Sequence, residues 1–261
     1  MNQQFQKHNH RQFFHILDKG RNGKKKYSHA LKLKDGKVVT AEKEKLERWC
    51  EHFNELLNVD SKSDLTQVNE LKEYKVLREL ANVPRIEEVE KAIKDLKCNK
   101  AAGPDDISAE MLKAGGGVII DWLSVFFQQV WSTNSVPQSW KDAIMIPLHK
   151  KKEMDDCNNY RGIALLSIVG KAFTRLILNR IKVSVEEKLS EIQAAFRKDR
   201  SCIDQVFTLR MIIEKAKGSS TPVFICFVDL QKAYDSVDRT ALWEVLEKFG
   251  FPKELIKVIK E

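Results

Sequence analysis

Apolar positions recur along this chain in two rhythms, and each rhythm predicts its own element. Leu31 to Val39 alternates apolar with polar residues and turns at Asp35-Gly36, the pattern of a β-hairpin. Thr40 then opens an amphipathic helix that carries Leu46, Trp49, Cys50, Phe53, Leu56 and Leu57 on one face. Pro84 with Glu87 and Glu88 starts a second helix through Val89, Ile93 and Leu96. Helices are predicted over Ile107–Lys113 and Ile119–Trp131 on either side of Gly115-Gly116-Gly117, with Trp122, Phe126, Phe127 and Trp131 suited to packing. Ala143 to Leu148 reads as a strand that enters a basic turn at Lys150-Lys151-Lys152. A long helix follows from Val169 to Leu189, with Phe173, Leu176, Ile177 and Ile181 on its apolar face, and another spans Asp204–Lys217. Pro222 then leads into Val223–Val228, an aromatic and β-branched run that reads as a buried strand. That strand delivers the carboxylate of Asp229. The last helix runs from Arg239 to Phe249, capped by Asp238 and stopped by Gly250 and Pro252. Residues 1–29 form a polar lead-in, and Val59 to Asn69 is the stretch best suited to a flexible linker.

Composition narrows the class. The 261 residues suffice for one large domain or two modest ones, and 43% hydrophobic content is ordinary for a soluble globular protein. No apolar run approaches the roughly 20 residues that cross a bilayer. The start lacks an apolar signal core, so an intracellular protein, nuclear or cytoplasmic and not secreted, is expected. The five cysteines are scattered with no Cys-x-x-Cys pair, which argues against a disulfide framework or a zinc site. Cys50 and Cys226 sit in apolar patterns that suggest burial. The triple glycine lacks the Lys-Ser/Thr of a phosphate-binding loop, and His8-Asn9-His10 lies in a polar terminus where it carries no nuclease chemistry. Net charge is +8, and the stretch from Lys141 to Lys217 holds 16 Lys and Arg against 10 Asp and Glu. A basic excess just ahead of Asp229 suits a phosphate backbone, although a solvated face has the same composition.

Asp229 itself admits two readings. An acid at the end of a rigid strand is a common ligand for a divalent metal, and it is also a common turn residue. Phe227-Val228-Asp229-Leu230-Gln231-Lys232-Ala233-Tyr234-Asp235 resembles the first catalytic motif of reverse transcriptases of non-LTR (LINE-type) retrotransposons. Three further segments resemble the same family in the same order. Asn99-Lys100-Ala101-Ala102-Gly103-Pro104-Asp105-Asp106-Ile107 is similar to its entrance motif, with Ala102 in place of a proline and Asp106 in place of a glycine. Ala143–Lys152 with Asn158–Ser167 resembles the paired finger strands. Gln193-Ala194-Ala195-Phe196-Arg197-Lys198-Asp199-Arg200-Ser201 resembles the segment touching template and primer, with Ala195 and Asp199 where the family has glycines.

The resemblance covers roughly Pro84 to Glu261 and implies an α+β fold: a helical N-terminal lead-in, a small antiparallel finger sheet, and an incomplete palm sheet backed by helices. Residues 1–83 would be a connector and 84–261 the fingers and partial palm. By this likeness Asp229 is a catalytic metal ligand, and Leu230 and Tyr234 lie against the deoxynucleotide, where Tyr234 blocks a 2′-OH. Arg161 with Lys150 or Lys151 meets the triphosphate, and a hydrogen bond to nearby backbone is the lesser alternative for Arg161. Arg197, Lys198 and Arg200 contact nucleic acid. Implied partners are an RNA template, a DNA primer and dNTPs; implied cofactor is Mg²⁺, weakly held or absent here. The family's reaction is two-metal nucleotidyl transfer, which needs two more aspartates from a hairpin downstream. The chain reaches only 32 residues past Asp229, so a truncated, inactive copy is expected. A non-catalytic RNA- or DNA-binding remnant is the alternative, and a phosphotransferase with Asp229 as nucleophile is disfavoured because Gln231 stands where such a site wants a second acid.

Overall fold

The computed structural model describes residues 30–58, 65–150, 152–230, 232–235 and 237–261. They fall into two units, Met1–Asp60 with Pro84–Phe173, and Ser61–Val83 with Thr174–Glu261. The elements are helices and two small antiparallel sheets, the α+β class expected. The polar lead-in of residues 1–29 lies outside the described residues.

In the first unit β1 (Leu31–Lys32) pairs antiparallel with β2 (Val38–Val39) across the Asp35-Gly36 turn, where the Asp35 carboxylate accepts the Lys37 N–H at 2.9 Å. Leu31 and Val39 bury with Cys157, flanked by Leu33 and Trp49. Helix α1 (Glu42–Leu57) lies over this cluster, rotated from the stripe its apolar residues predict. Arg48 and His52 are buried, whereas Leu46 and Cys50 face solvent. The reason is Arg48: its Nε–H reaches the Lys32 carbonyl at 3.2 Å and its Nη1 the Glu51 carboxylate at 3.0 Å. A charged head so satisfied lets the aliphatic stem take a core position. Cys226 is exposed as well, and the buried thiol is Cys157, whose pKa burial pushes up.

Helix α2 (Ile86–Lys94) starts where the Pro84 signal places it, with Glu88 accepting the Arg85 N–H at 2.9 Å. It buries Val89, Ala92 and Ile93 and packs against α4. Ser108 caps α3 (Ala109–Ala114), accepting the Met111 N–H at 3.3 Å, and α4 (Gly116–Thr133) buries Phe127, Val130 and Trp131. Trp122 turns to solvent on the other side of α4. Phe127 and Trp140 close on Phe173, with centroids 5.1 and 5.5 Å away. The loop before α3 needs its glycine: a β-carbon added at Gly103 would fall 2.5 Å from the Leu166 carbonyl. Asp106, standing where the related motif has glycine, adopts φ +54°. Strands β3 (Ile144–His149) and β4 (Tyr160–Leu165) pair antiparallel, Ile146 opposite Ile163 and Leu148 opposite Arg161.

Helix α5 (Ile168–Glu186) begins in the first unit and continues in the second. Ser201 and Asp204 form a reciprocal cap on α6 (Cys202–Gly218), which buries no residue. Asp238 caps α7 (Arg239–Lys248) by accepting the Ala241 N–H at 3.0 Å, and Gly250 ends it at φ +81°. Helix α8 (Lys253–Lys260), which sequence pattern did not predict, supplies buried Leu255, Ile256 and Val258. Tyr74 and Leu77 donate backbone N–H bonds, each 2.8 Å, to Lys248 and Gly250, tying the connector to the α7–α8 corner. Within the stretch expected as a linker, residues 59–64 lie outside the described residues, and Thr66–Asn69 forms a helical turn.

The expected buried strand at Val223–Val228 is not one. Residues 221–230 run without regular structure and are exposed, Phe224 at 95% and Phe227 at 82%. A strand is completed by hydrogen bonds from a neighbour, and among the described residues none lies beside this run. The expected palm sheet is correspondingly missing from the described residues.

Two substitutions test the entrance loop by urea unfolding. Asp106→Gly stabilises by up to about 1 kcal/mol, because a left-handed residue loses its side-chain penalty. Gly103→Ala destabilises by about 1–3 kcal/mol, because the obstructing atoms are backbone and cannot turn aside.

Candidate functional site

The sequence-predicted residues separate into two groups, one in each unit. In the first, α1 supports the β3–β4 hairpin from one side. Tyr160 meets Trp49 edge-on at 4.9 Å and His149 at 5.0 Å. A β-carbon at Gly162 would lie 2.7 Å from Cε1 of Phe53 and 2.8 Å from Sδ of Met145, so glycine lets helix and sheet touch. Strand alternation then sends Ile144, Ile146, Leu148, Arg161 and Ile163 to the opposite, open face.

The Lys150 N–H bonds the Asn159 carbonyl at 2.9 Å and continues the register past His149–Tyr160. Lys150 therefore shares a face with Leu148 and with Arg161 directly across from it. Both side chains are exposed, and among the described residues neither head group is held in a hydrogen bond or ion pair. Lys151 lies outside the described residues. The intervening turn is built by acids: Asp155 pairs with Lys32 at 2.9 Å, and Asp156 accepts the Asn158 N–H at 2.8 Å. The Lys32 ammonium holds the Asp155 carboxyl below the usual aspartate range. These adjacent aspartates are thus turn-forming groups. Such a face, apolar with two unengaged cations at its end, suits a base and a triphosphate.

The second group is centred on Arg197. Only 5% of its side chain is exposed, and its guanidinium bonds Glu186 at 2.7 Å, the Ser190 carbonyl at 2.8 Å and the Gln193 carbonyl at 3.3 Å. Arg197 fastens its own segment to the end of α5. Arg200 pairs with Glu191 but remains part exposed, and Lys198 extends into solvent beside Asp199. The segment is bent by two left-handed residues, Phe196 at φ +62° and Asp199 at φ +57°. Asp199 again stands where the related motif carries glycine. The bend throws the Phe196 ring, 88% exposed, to 5.9 Å from the Tyr234 ring at an interplanar angle of 86°. Pattern reading missed this contact because nothing in the residue types signals a left-handed phenylalanine.

Asp229, Leu230 and Tyr234 are all exposed, on the run that lacks a neighbouring strand and on the turn after it. Among the described residues no group of three or more His, Cys, Asp or Glu is placed to hold a metal ion. A single carboxylate does not fit a pair of divalent ions.

Residues 148–261 match the family model described as reverse transcriptase (RNA-dependent DNA polymerase). The chain is 32% identical over 179 residues to the probable RNA-directed DNA polymerase from transposon BS of Drosophila melanogaster, covering 67% of this chain and 20% of that protein. It is 29% identical over 178 residues to the RNA-directed DNA polymerase from mobile element jockey of the same species, covering 67% and 19%. A Pol polyprotein from a type-1 retrotransposable element of Bradysia coprophila is 26% identical over 193 residues, covering 72% and 19%. The chain spans about a fifth of the length of these curated relatives.

Removing Arg197 strips a buried guanidinium from three acceptors, so Arg197→Ala lowers unfolding stability by about 2 kcal/mol, less than the roughly 3–5 kcal/mol of a fully buried pair because Glu186 is part exposed. Lys198→Ala stays within about 0.5 kcal/mol of the parent. Because the folded Asp155 pKa is depressed, its contribution is complete at neutral pH and is lost as pH falls below the ordinary aspartate range through the folded value. Acid titration of stability therefore falls less steeply in Asp155→Asn.

Proposed function

We propose, on the premise that this chain is part of a reverse transcriptase domain of the non-LTR retrotransposon type, that it supplies the fingers and leading palm segment of an RNA-directed DNA polymerase. Residues 1–83 act as the connector and 84–261 as the polymerase portion. The observation that carries this reading is the β3–β4 hairpin, which presents Lys150 and Arg161 together on an open face. There they neutralise the triphosphate of an incoming dNTP, with Lys151, next in sequence to Lys150, as a further cation. Leu230 and Tyr234 bound the sugar, and the bulk of Tyr234 excludes a 2′-OH. Lys198 and Arg200 contact the template–primer backbone, and Arg197 holds their segment in shape. Asp229 is the metal-ligating acid. The family generally uses divalent metal, whose chemistry is charge neutralisation at the transferring phosphoryl group.

Arg161→Ala or Lys150→Ala each weakens binding of a fluorescent dNTP about tenfold, the worth of one charge-assisted contact. Undiminished binding in both variants overturns the assignment. The 261-residue chain with primed RNA, dNTPs and Mg²⁺ gives no extension, since its described residues bring no carboxylate cluster to Asp229. Extension that disappears in Asp229→Ala would show otherwise.

The missing cluster also favours a second reading, a nucleic-acid-binding module without chemistry. On that reading binding to an RNA–DNA hybrid is salt-dependent and indifferent to Asp229→Ala. Loss of Lys198 or Arg200 lowers the salt slope by about one each.

A further inference from the structure

Strand β1 carries a lysine whose contacts extend beyond its own hairpin. Leu31 points inward to Val39 and Cys157, so alternation sends Lys32 to the other side. There its ammonium meets the Asp155 carboxylate at 2.9 Å, and its backbone N–H meets the Asp155 carbonyl at 2.8 Å. Lys32 thus grips one residue of the β3–β4 turn at two points. The Arg48 Nε–H in turn holds the Lys32 carbonyl at 3.2 Å. All of these groups lie in the first unit, and residues 31–57 precede the stretch 148–261 that matches the family model.

The gripped turn is closed by hydrogen bonds of its own. The Tyr160 hydroxyl donates to the Met154 carbonyl at 2.6 Å, and the Asn159 side chain donates to the Glu153 carbonyl at 2.9 Å. The Asn159 N–H bonds the Asp156 carbonyl at 3.1 Å, and a His149 ring nitrogen bonds the Lys152 carbonyl at 3.1 Å. Asn159 also accepts the Lys150 N–H, the bond that sets Lys150 on the face of Arg161. A shift at Asp155 therefore passes through Asp156 and Asn159 to Lys150. We propose that Lys32 is a positioning residue for the triphosphate site, acting through Asp155 on the backbone of Lys150. Residues 31–57 are then part of the fingers and not a tether ahead of them. This role rests on the reading of Lys150 and Arg161 as triphosphate contacts.

An exposed ion pair contributes little by attraction alone, and Lys32 is half-exposed. Its effect here is geometric. Ammonium and N–H on one residue fix both the side chain and the carbonyl of Asp155, and a binding cation held loosely loses affinity that a fixed one supplies. Because Lys32 acts through Lys150, its removal costs no more than the removal of Lys150 itself. A simple field effect of one lysine on the triphosphate differs, since any nearby lysine of the same hairpin would then serve.

Binding of a fluorescent dNTP to the full 261-residue chain tests this, with Lys32→Met removing the charge and keeping the stem. The expected weakening is about threefold, smaller than that of Lys150→Ala. In a Lys150→Ala background Lys32→Met adds nothing, because both act through one head group. Lys32→Arg restores binding, and Lys37→Ala, beside the Asp35-Gly36 turn, leaves it unchanged. Without nucleotide, amide exchange over residues 152–160 quickens in Lys32→Met and not in Lys37→Ala. Lys32→Met that binds like the parent while Lys150→Ala is weakened overturns the proposal and leaves the dNTP reading standing. So does a loss that multiplies with that of Lys150→Ala, or exchange that stays slow in Lys32→Met. A chain that binds no dNTP, or binds it equally well in Lys150→Ala, overturns the dNTP reading itself and this role with it.

Discussion

The contact of Trp49 and Phe53 with Tyr160 and Gly162 is the constraint on which the placement of the first group of candidate residues depends. A two-stranded ribbon is marginal in water by itself. Strands β3 and β4 persist because one face is held against α1, where the missing side chain of Gly162 lets the Phe53 ring approach. Once that face is committed, alternation leaves no choice about the other. Arg161 and Lys150 must project to the open side, next to Leu148 and Ile146. The buried Arg48 serves the same end from beneath, bonding α1 to the Lys32 carbonyl of the β1–β2 hairpin.

A second economy operates around Arg197. Three cationic residues lie within four positions of each other, and composition treats them alike. The structure distinguishes them by what surrounds each head group. Arg197 finds a carboxylate and two carbonyls at the end of α5 and becomes part of the interior. Lys198, among the described residues, pairs with Asp199 and otherwise meets solvent. The planar guanidinium with its several donors satisfies that crowded pocket in a way an ammonium would not. Anchored there, the segment can sustain left-handed φ values at Phe196 and Asp199.

Both acids that replace family glycines, Asp106 and Asp199, keep the glycine-like backbone. Aspartate tolerates the left-handed region better than most residues because its short side chain bonds locally. The fold thus survives these departures at modest cost in stability. Their positions mark turns whose shape matters more than their side chains.

Helix positions, caps and the two hairpins were legible in the chain because local rules determine them. Pro84 with Glu88 starts α2, Asp238 caps α7, and Asp35-Gly36 turns β1 into β2. The family likeness was legible too, because ordered motifs survive without reference to packing. What only tertiary structure decided was partnership. The apolar residues of Val223–Val228 encode a strand, but a strand exists only beside another, and the described residues offer none. The stripe of α1 could not reveal that Arg48 would turn inward and leave Leu46 facing solvent, since that depends on a carbonyl 16 residues earlier in the chain. Nor could charge alone separate Arg197 from Lys198, because burial and pairing are properties of a place in space and not of a residue type.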